Sequence, residues 1–432
     1  MNKISLFSPR LGVLAVSLLL LILALPSAAQ DGGWPRTLVD GLGNEVTIAA
    51  PPQRIASVSL GSDEVLLSLV EPERIIAVTA FAQDPAISNV AVQAQAIPNT
   101  IAAAEDTEFI ISLEPDIVFV ASFTTPDVIQ QLRDAGLTVF ATGFPVGFQQ
   151  IKDNITLLGQ AVGAEERAAE LVEWMDSEIA MVSGAVAQDN IVSALYLTPG
   201  NYTSGVNSSI SEVIAAANGL DVAAQAGIEQ FAPVSDEFII EQDPQVILLS
   251  GWTPWDPTFV DTFNNNPAFA DLQAVKNGRV YVANDAHLTT VSHYIVEGVK
   301  DVAAYLWPEL YPTFPVTVTD AAGNEVTIEE KPEEALIVSE VGGGLLEELL
   351  PFLDEDAPNV TYGDALTPDT QIFFTAADEL NLPGTVVLYD GDTPAEVVAN
   401  MELAGEVLGE RVAALNAIAA YTDSLEAQAA GQ

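Results

Sequence analysis

The sequence predicts an α/β protein of two parallel-sheet lobes joined by a long rigid helix, followed by a truncated C-terminal repeat of the first lobe. Three observations predict it. Short apolar runs alternate with helix-like segments over residues 37–312, as parallel strands covered on both faces do. A stretch from Ile151 to Val186 keeps apolar residues at helical spacing. A nine-residue string that begins at Asp40 returns at Asp320. The length of 432 residues suits two or three domains of roughly 100 to 200 residues each.

Residues 1–29 read as a secretory signal. Lys3 and Arg10 precede an apolar run from Leu11 to Leu25, and Ser27 and Ala29 are small enough for cleavage after Ala29. A retained anchor helix is the alternative, for which the run is short. The chain is expected to be exported, to the periplasm or the exterior, and to be soluble once cleaved. It has no cysteine, which excludes disulfides, thiolate sites and the acylated cysteine of an ordinary lipoprotein.

The first lobe is expected at 37–148, with strands at Ile55–Leu60, Ile75–Thr79, Ile117–Ala121 and Thr138–Thr142. Bridging helices follow at 149–189. Ile151, Ile155, Leu158 and Val162 mark one helix; Ala168, Leu171, Val172, Met175, Ile179 and Val182 mark another, with a break near Gly163. The second helix, from Glu165 to Val186, would be about 33 Å long. A second lobe at 190–312 has strands at Ala194–Thr198, Val246–Ser250 and Val280–Asn284, and helices near Ile210–Ala217 and Ile295–Leu306.

Residues 313–432 read as a degenerate partial repeat of the first lobe. Asp40–Ile48 recurs as Asp320–Ile328, and Pro52, Val58 and Ser59 match Pro332, Val338 and Ser339 without a gap. Asn154 to Gly159 is echoed by Asn400 to Gly405. The copy is compressed: Asp40 to Thr138 spans 98 positions and Asp320 to the matched Thr385 spans 65, so at least one strand and helix are expected to be missing.

Lys+Arg number 13 against 61 Asp+Glu, a formal charge of −48, which repels nucleic acid and anionic lipid. Enzymatic machinery is sparse: two histidines, no cysteine, no phosphate loop and no nucleophile elbow. The acidic turns Leu353–Asp356 and Asp390–Asp392 lack an EF-hand pattern and read as solvated loops.

Several strings carry a family resemblance: Asp40–Ile48, Pro52–Ser57 and Ser62–Leu66; Leu113-Glu114-Pro115-Asp116-Ile117-Val118, repeated in the second lobe as Gln242-Asp243-Pro244-Gln245-Val246-Ile247; and Tyr202–Gly205 with Ser211-Glu212-Val213 and Asn218-Gly219. Together, over residues 37–312, they resemble the periplasmic iron-chelate and cobalamin binding proteins of ABC importers. That resemblance implies two Rossmann-like lobes holding ligand between them, small opening motions about the rigid helix, and a membrane permease as partner. It also implies one carboxylate per lobe for docking on permease arginines, at Glu64 and Glu212. Both lie in the first turn of expected helices, where the helix dipole alone would also favour an acid. In the repeat the position matched to Glu64 is Gly344, with Glu347 nearby.

Ligands of open α/β sheets bind beyond the carboxyl ends of the strands. The loops there hold Ser59, Leu60 and Gly61; Phe81; Phe123 and Thr124; Tyr202; Trp252 and Trp255; and His287, His293 and Tyr294. An aromatic wall suits a large flat ligand. His287 and His293, or Tyr294, are weak candidates to ligate haem iron, and their spacing matches no common zinc pattern. No Lys or Arg falls in these loops, so a neutral ferric hydroxamate, cobalamin or ligated haem is expected before an anionic catecholate. Iron or cobalt would arrive with the ligand; no resident cofactor is expected, and the protein is expected to be a monomer. The competing reading is an extracellular sensor or interaction module on the same fold, which the truncated repeat keeps open.

Overall fold

The computed structural model describes residues 33–185, 191–254, 256–312, 314–337, 349–353, 357–362, 372–375, 385–388 and 393–430. The expected signal segment, Trp255, Gly344, Glu347 and the acidic residues of both C-terminal turns lie outside them.

A hairpin opens the first lobe: β1 (Arg36–Val39) pairs antiparallel with β2 (Glu45–Ile48). The Asp40 carboxylate closes its turn by accepting the Leu42 and Asn44 backbone N–H groups at 3.0 and 2.8 Å. The strands β3 (Ile55–Ser57), β4 (Ile75–Thr79), β5 (Thr100–Ile101), β6 (Ile117–Ala121) and β7 (Val139–Thr142) then form a parallel sheet, ordered β5-β4-β3-β6-β7. Every residue of β4 and β6 is buried, which is why these strands read as unbroken apolar runs. The predicted run Ile55–Leu60 is split: the strand stops at Ser57 and Leu60 begins a helix, Leu60–Leu69.

Two helices bridge the lobes. Phe148–Val162 ends at Gly163, whose φ of 74° is a left-handed stop that glycine adopts without strain, and Glu165–Ala185 follows. Beyond them, β8 (Val192–Leu197), β9 (Tyr202–Ser204), β10 (Gly219–Asp221), β11 (Phe231–Pro233), β12 (Val246–Ser250) and β13 (Val280–Ala283) build the second lobe. Its parallel sheet is ordered β10-β8-β12-β13, and β9 and β11 form a separate antiparallel ribbon that the sequence did not suggest. One apolar core runs without interruption from Ile55 and Phe119 through Ile155 and Met175 to Val246 and Val299. The helices therefore share a core with both lobes and act as a strut.

The C-terminal unit has its own core. Hairpin β14 (Val316–Thr319) with β15 (Glu325–Ile328) precedes β16 (Glu334–Ile337), β17 (Asn359–Tyr362), β18 (Ile372–Thr375) and β19 (Thr385–Val387), a parallel sheet ordered β17-β16-β18-β19. Among the described residues no strand corresponds to the edge strand β5. Gly41 N–H donates to Ala141 and Ala321 N–H donates to Val387, so Thr385 corresponds to Val139 rather than to Thr138. Helices Pro394–Leu408 and Arg411–Ala430 end the unit. The last lies along the bridging helix Glu165–Ala185, where Asn416 Nδ2 donates to the Met181 carbonyl at 2.8 Å. No helix among the described residues is long and apolar enough to cross a membrane.

Candidate functional site

A cavity of about 250 Å³ lies between the lobes. The first lobe supplies Ser59, Leu60, Gly61, Ser62 and Val65 from the start of the Leu60–Leu69 helix, Ala121 and Phe123 after β6, and Thr142, Gly143, Pro145, Asn154 and Leu158 after β7. The second lobe supplies Thr289, Thr290 and Val291. Gly61 permits this approach: a Cβ there would lie 2.4 Å from Val291 Cγ2. Asn154 fixes the opposite wall, since its side chain accepts from Gly143 N–H at 3.0 Å and donates to the Gly143 carbonyl at 2.9 Å.

Among the described residues the lining is apolar, hydroxyl and amide, with no charged side chain. Ser57 donates to Ser62 at 3.0 Å and Ser59 touches Ser62, giving a hydroxyl chain at the helix start. Beneath it, Asp63 is buried and accepts from Thr79 N–H and Oγ1. Burial pushes the Asp63 carboxyl up to about 8, against the pull of hydrogen bonds from Thr79 and Ser57. Phe123, 72 % exposed, meets Phe144 edge-on at 6.2 Å at the rim.

Of the described residues predicted to hold ligand, Ser59, Leu60 and Phe123 line this cavity and the others do not. Thr124 is not part of the lining; its N–H donates to the Ala121 carbonyl at 2.9 Å. Phe81 is 51 % exposed on a separate turn, Ala80–Gln83. Tyr202 stacks on Phe231 across the β9–β11 ribbon, ring centroids 5.0 Å apart. Trp252 is half-buried, and its N–H donates to Asp285, which also holds Tyr196 and Ser250 at the strand ends of the second lobe.

The histidines are not placed to ligate a metal in the cavity. His287 Nδ1 pairs with Asp301 at 2.7 Å on the helix Ile295–Leu306. Desolvation lowers the His287 pKa, but Asp301, with Glu297 and Glu64, together outweigh it and the net shift is upward. His293 is buried against Trp174 and Ser68, and desolvation pushes it down to about 3. With Tyr294, His293 borders an open hollow beside the bridging helix, lined also by Arg167 and Leu171. Among the described residues no cluster of three or more His, Cys, Asp or Glu could hold a metal ion. Instead the Thr289–Val291 loop, which carries no aromatic or charged residue to flag it, fills the gap.

The two docking candidates also differ from expectation. Glu64 is 0 % exposed, so no partner protein can reach its carboxylate. Its oxygens accept from Asn89 on its own lobe and from Thr290 and Ser292 on the other. Glu212 is exposed but engaged, accepting the Phe148 N–H at 2.6 Å.

Two other glutamates are exposed in equivalent places. Glu108 lies in the first turn of helix Thr107–Ser112 and Glu237 in that of Asp236–Gln242. Each precedes a left-handed residue, Glu114 (φ 49°) or Asp243 (φ 38°), and then a proline, Pro115 or Pro244, leading into β6 or β12. The Leu113–Val118 and Gln242–Ile247 strings were the signal; each glutamate stands seven positions before its proline.

Comparison with known proteins agrees with this architecture. YvrC of Bacillus subtilis, an uncharacterized ABC transporter substrate-binding lipoprotein, is 25% identical over 288 residues, 64% of this chain and 87% of that one. A cobalamin-binding protein of Halobacterium salinarum is 24% identical over 275 residues, 62% of this chain and 73% of its own. The apo periplasmic haem-binding protein RhuT from Roseiflexus superposes with a TM-score of 0.52 at 25% identity, covering 59% of this chain and 98% of that structure. The family model for periplasmic binding proteins matches residues 55–286, more than half of the sequence, and the chain therefore belongs to the periplasmic binding protein family.

Proposed function

We propose that the chain is the substrate-binding protein of an ABC importer and that it captures a bulky, weakly charged metal chelate, a ferric hydroxamate siderophore or cobalamin, for delivery to a membrane permease. The uncharged cavity between two strutted lobes carries this reading. A catecholate chelate carrying several negative charges would meet neither Lys nor Arg among the described lining residues, and the chain's charge of −48 would oppose its approach. Exposed Phe123 and Phe144 extend the apolar wall outward to the rim, where a ligand larger than the cavity would rest.

The protein acts by binding rather than by catalysis, as an exported monomer, and iron or cobalt comes with its cargo. Lacking any cysteine, the chain has no thiol to carry the lipid of a YvrC-type lipoprotein. For docking, Glu108 and Glu237 take the place first given to Glu64 and Glu212, one exposed carboxylate per lobe at matched positions. Such a pair sets orientation on a basic partner more than it adds affinity.

Titration of the mature protein with a ferric trihydroxamate, cyanocobalamin and haemin, followed by tryptophan quenching, tests the ligand class. Saturable binding of the ferric trihydroxamate or of cyanocobalamin is expected. If all three fail while a sugar or a free metal ion binds, the ligand class is wrong.

A further inference from the structure

Glu64 and Glu212 reach across the gap between the lobes. Glu64 is the fifth residue of the first helix of the first lobe, Leu60–Leu69. One of its oxygens accepts the Asn89 backbone N–H and side-chain amide, both at 2.9 Å. The other accepts the hydroxyls of Thr290 and Ser292, both at 2.5 Å, from the segment that enters the last helix of the second lobe, Ile295–Leu306. Asn89 crosses as well, donating to the Ala286 carbonyl at 2.6 Å. A buried carboxylate is tolerated only when its lone pairs are met, and four donors meet them here.

Glu212 repeats the arrangement in the opposite sense. It sits in the first turn of helix Ser209–Ala216 in the second lobe, and its carboxylate accepts the N–H of Phe148, the first residue of helix Phe148–Val162. The contact is close enough that a Cβ on Gly147 would lie 2.2 Å from the carboxylate oxygen. Each lobe thus sends a glutamate from an early helix to the segment entering a late helix on the other side. Both receiving segments adjoin the cavity: Thr290 lines it directly, and Gly143 and Pro145 line it just before Gly147.

From this geometry we infer that Glu64 and Glu212 are positioning residues, a pair of cross-lobe latches that fix the spacing of the cavity walls and so set how tightly the protein closes on its ligand. Separation of the lobes hands the carboxylates from protein donors to water, so the latches are reversible. Because Thr290 belongs both to the latch and to the lining, closure and ligand contact are coupled through one side chain. The consequence for affinity rests on the ligand-capture reading above; the wall spacing itself does not.

The absence of native cysteine allows a direct measurement on the full chain. Spin labels at Asp127→Cys and Glu241→Cys, exposed positions on opposite lobes, report the inter-lobe distance by double electron–electron resonance without ligand. A narrow distribution is expected for the parent, and a longer, broader one for Glu64→Ala combined with Glu212→Ala. Should Glu64→Ala fail to fold, Thr290→Val with Ser292→Ala removes the hydroxyls that donate to Glu64 by near-isosteric changes, and Glu212→Ala alone probes the exposed latch; the same lengthening is expected. Distances unchanged in every folded variant would overturn the latches. With cyanocobalamin and the ferric trihydroxamate as probes, the latch variants should bind about tenfold more weakly or worse, a difference of about 1.4 kcal/mol. Altered distances with no probe bound in any form would retain the latches and reject the ligand reading. Unaltered distances with tight binding would do the reverse.

Discussion

The first lobe and its C-terminal copy share a hairpin turn and a helix crossing, and they differ in sequence at the acidic helix start that the first lobe carries. Asp320 accepts the N–H groups of Ala322 and Asn324 at 3.0 and 2.8 Å, as Asp40 does those of Leu42 and Asn44. Thr317 bonds Thr327 at 2.9 Å, as Thr37 bonds Thr47. A Cβ on Gly159 would come 2.4 Å from the Ala168 methyl, and one on Gly405 would come 2.4 Å from that of Ala414. Against this stands the run Ser62-Asp63-Glu64, matched in the copy by Gly342-Gly343-Gly344. The comparison teaches that turn closure and helix crossing recur wherever the scaffold does, whereas Asp63 and Glu64 are present only where a second lobe faces them.

The largest expected difference is in pH dependence. Asp63 is held near 8 in the folded chain and titrates at about 3.9 when unfolded, so between these values the folded chain carries the extra proton. Stability of the two-lobed body should fall as pH rises from about 4 to about 8, by a few kcal/mol in total. Glu64, also pushed up by burial, adds to the same slope. His293 works in the opposite sense: held near 3 when folded, it costs stability as pH falls below about 6.5. Urea midpoints across pH should show the decline between about pH 4 and 8 flattened in Asp63→Asn. A decline equally steep in that variant would sink the assignment.

Next in size are the helix crossings. Gly159→Leu and Gly405→Leu should each cost about 1–3 kcal/mol by overpacking. Hydrogen exchange should place the first loss in the main body and the second in the C-terminal unit. Losses that spread to both units alike would show that the two cores are coupled. The turn acids come third, Asp40→Ala and Asp320→Ala each costing about 1–2 kcal/mol, and a large inequality between them would break the equivalence of the two hairpins. Smallest of all in stability are Glu108→Lys and Glu237→Lys, within about 0.5 kcal/mol of the parent and with ligand affinity unchanged. They should nonetheless abolish stimulation of the permease's ATPase by the loaded protein. Full stimulation by the double variant would remove these residues from the docking surface.

Periodicity made the strut legible: apolar steps of three and four from Ile151 to Val182, with Gly163 between, became the two helices broken at that residue. The inward acids were not legible in the same way. Glu64 reads as an acid in a first helical turn, and nothing local says that Thr290 and Ser292, more than 200 positions later, will close over it. The aromatic residues misled for a related reason. Strand-end loops were expected to converge, yet Tyr202 found Phe231 and His287 found Asp301 within their own lobe.

Sequence by itself determined the alternation of strand and helix, the rigid connection, the copied hairpin and the absence of thiol chemistry, because each is set by neighbours along the chain or by composition. Only the tertiary structure decided which walls meet, that Thr289–Val291 rather than Trp252 lines the cavity, and that Glu64 is buried while Glu108 and Glu237 face outward. Burial and pairing across a cleft depend on how two sheets are held apart by a strut, a distance that no local pattern encodes.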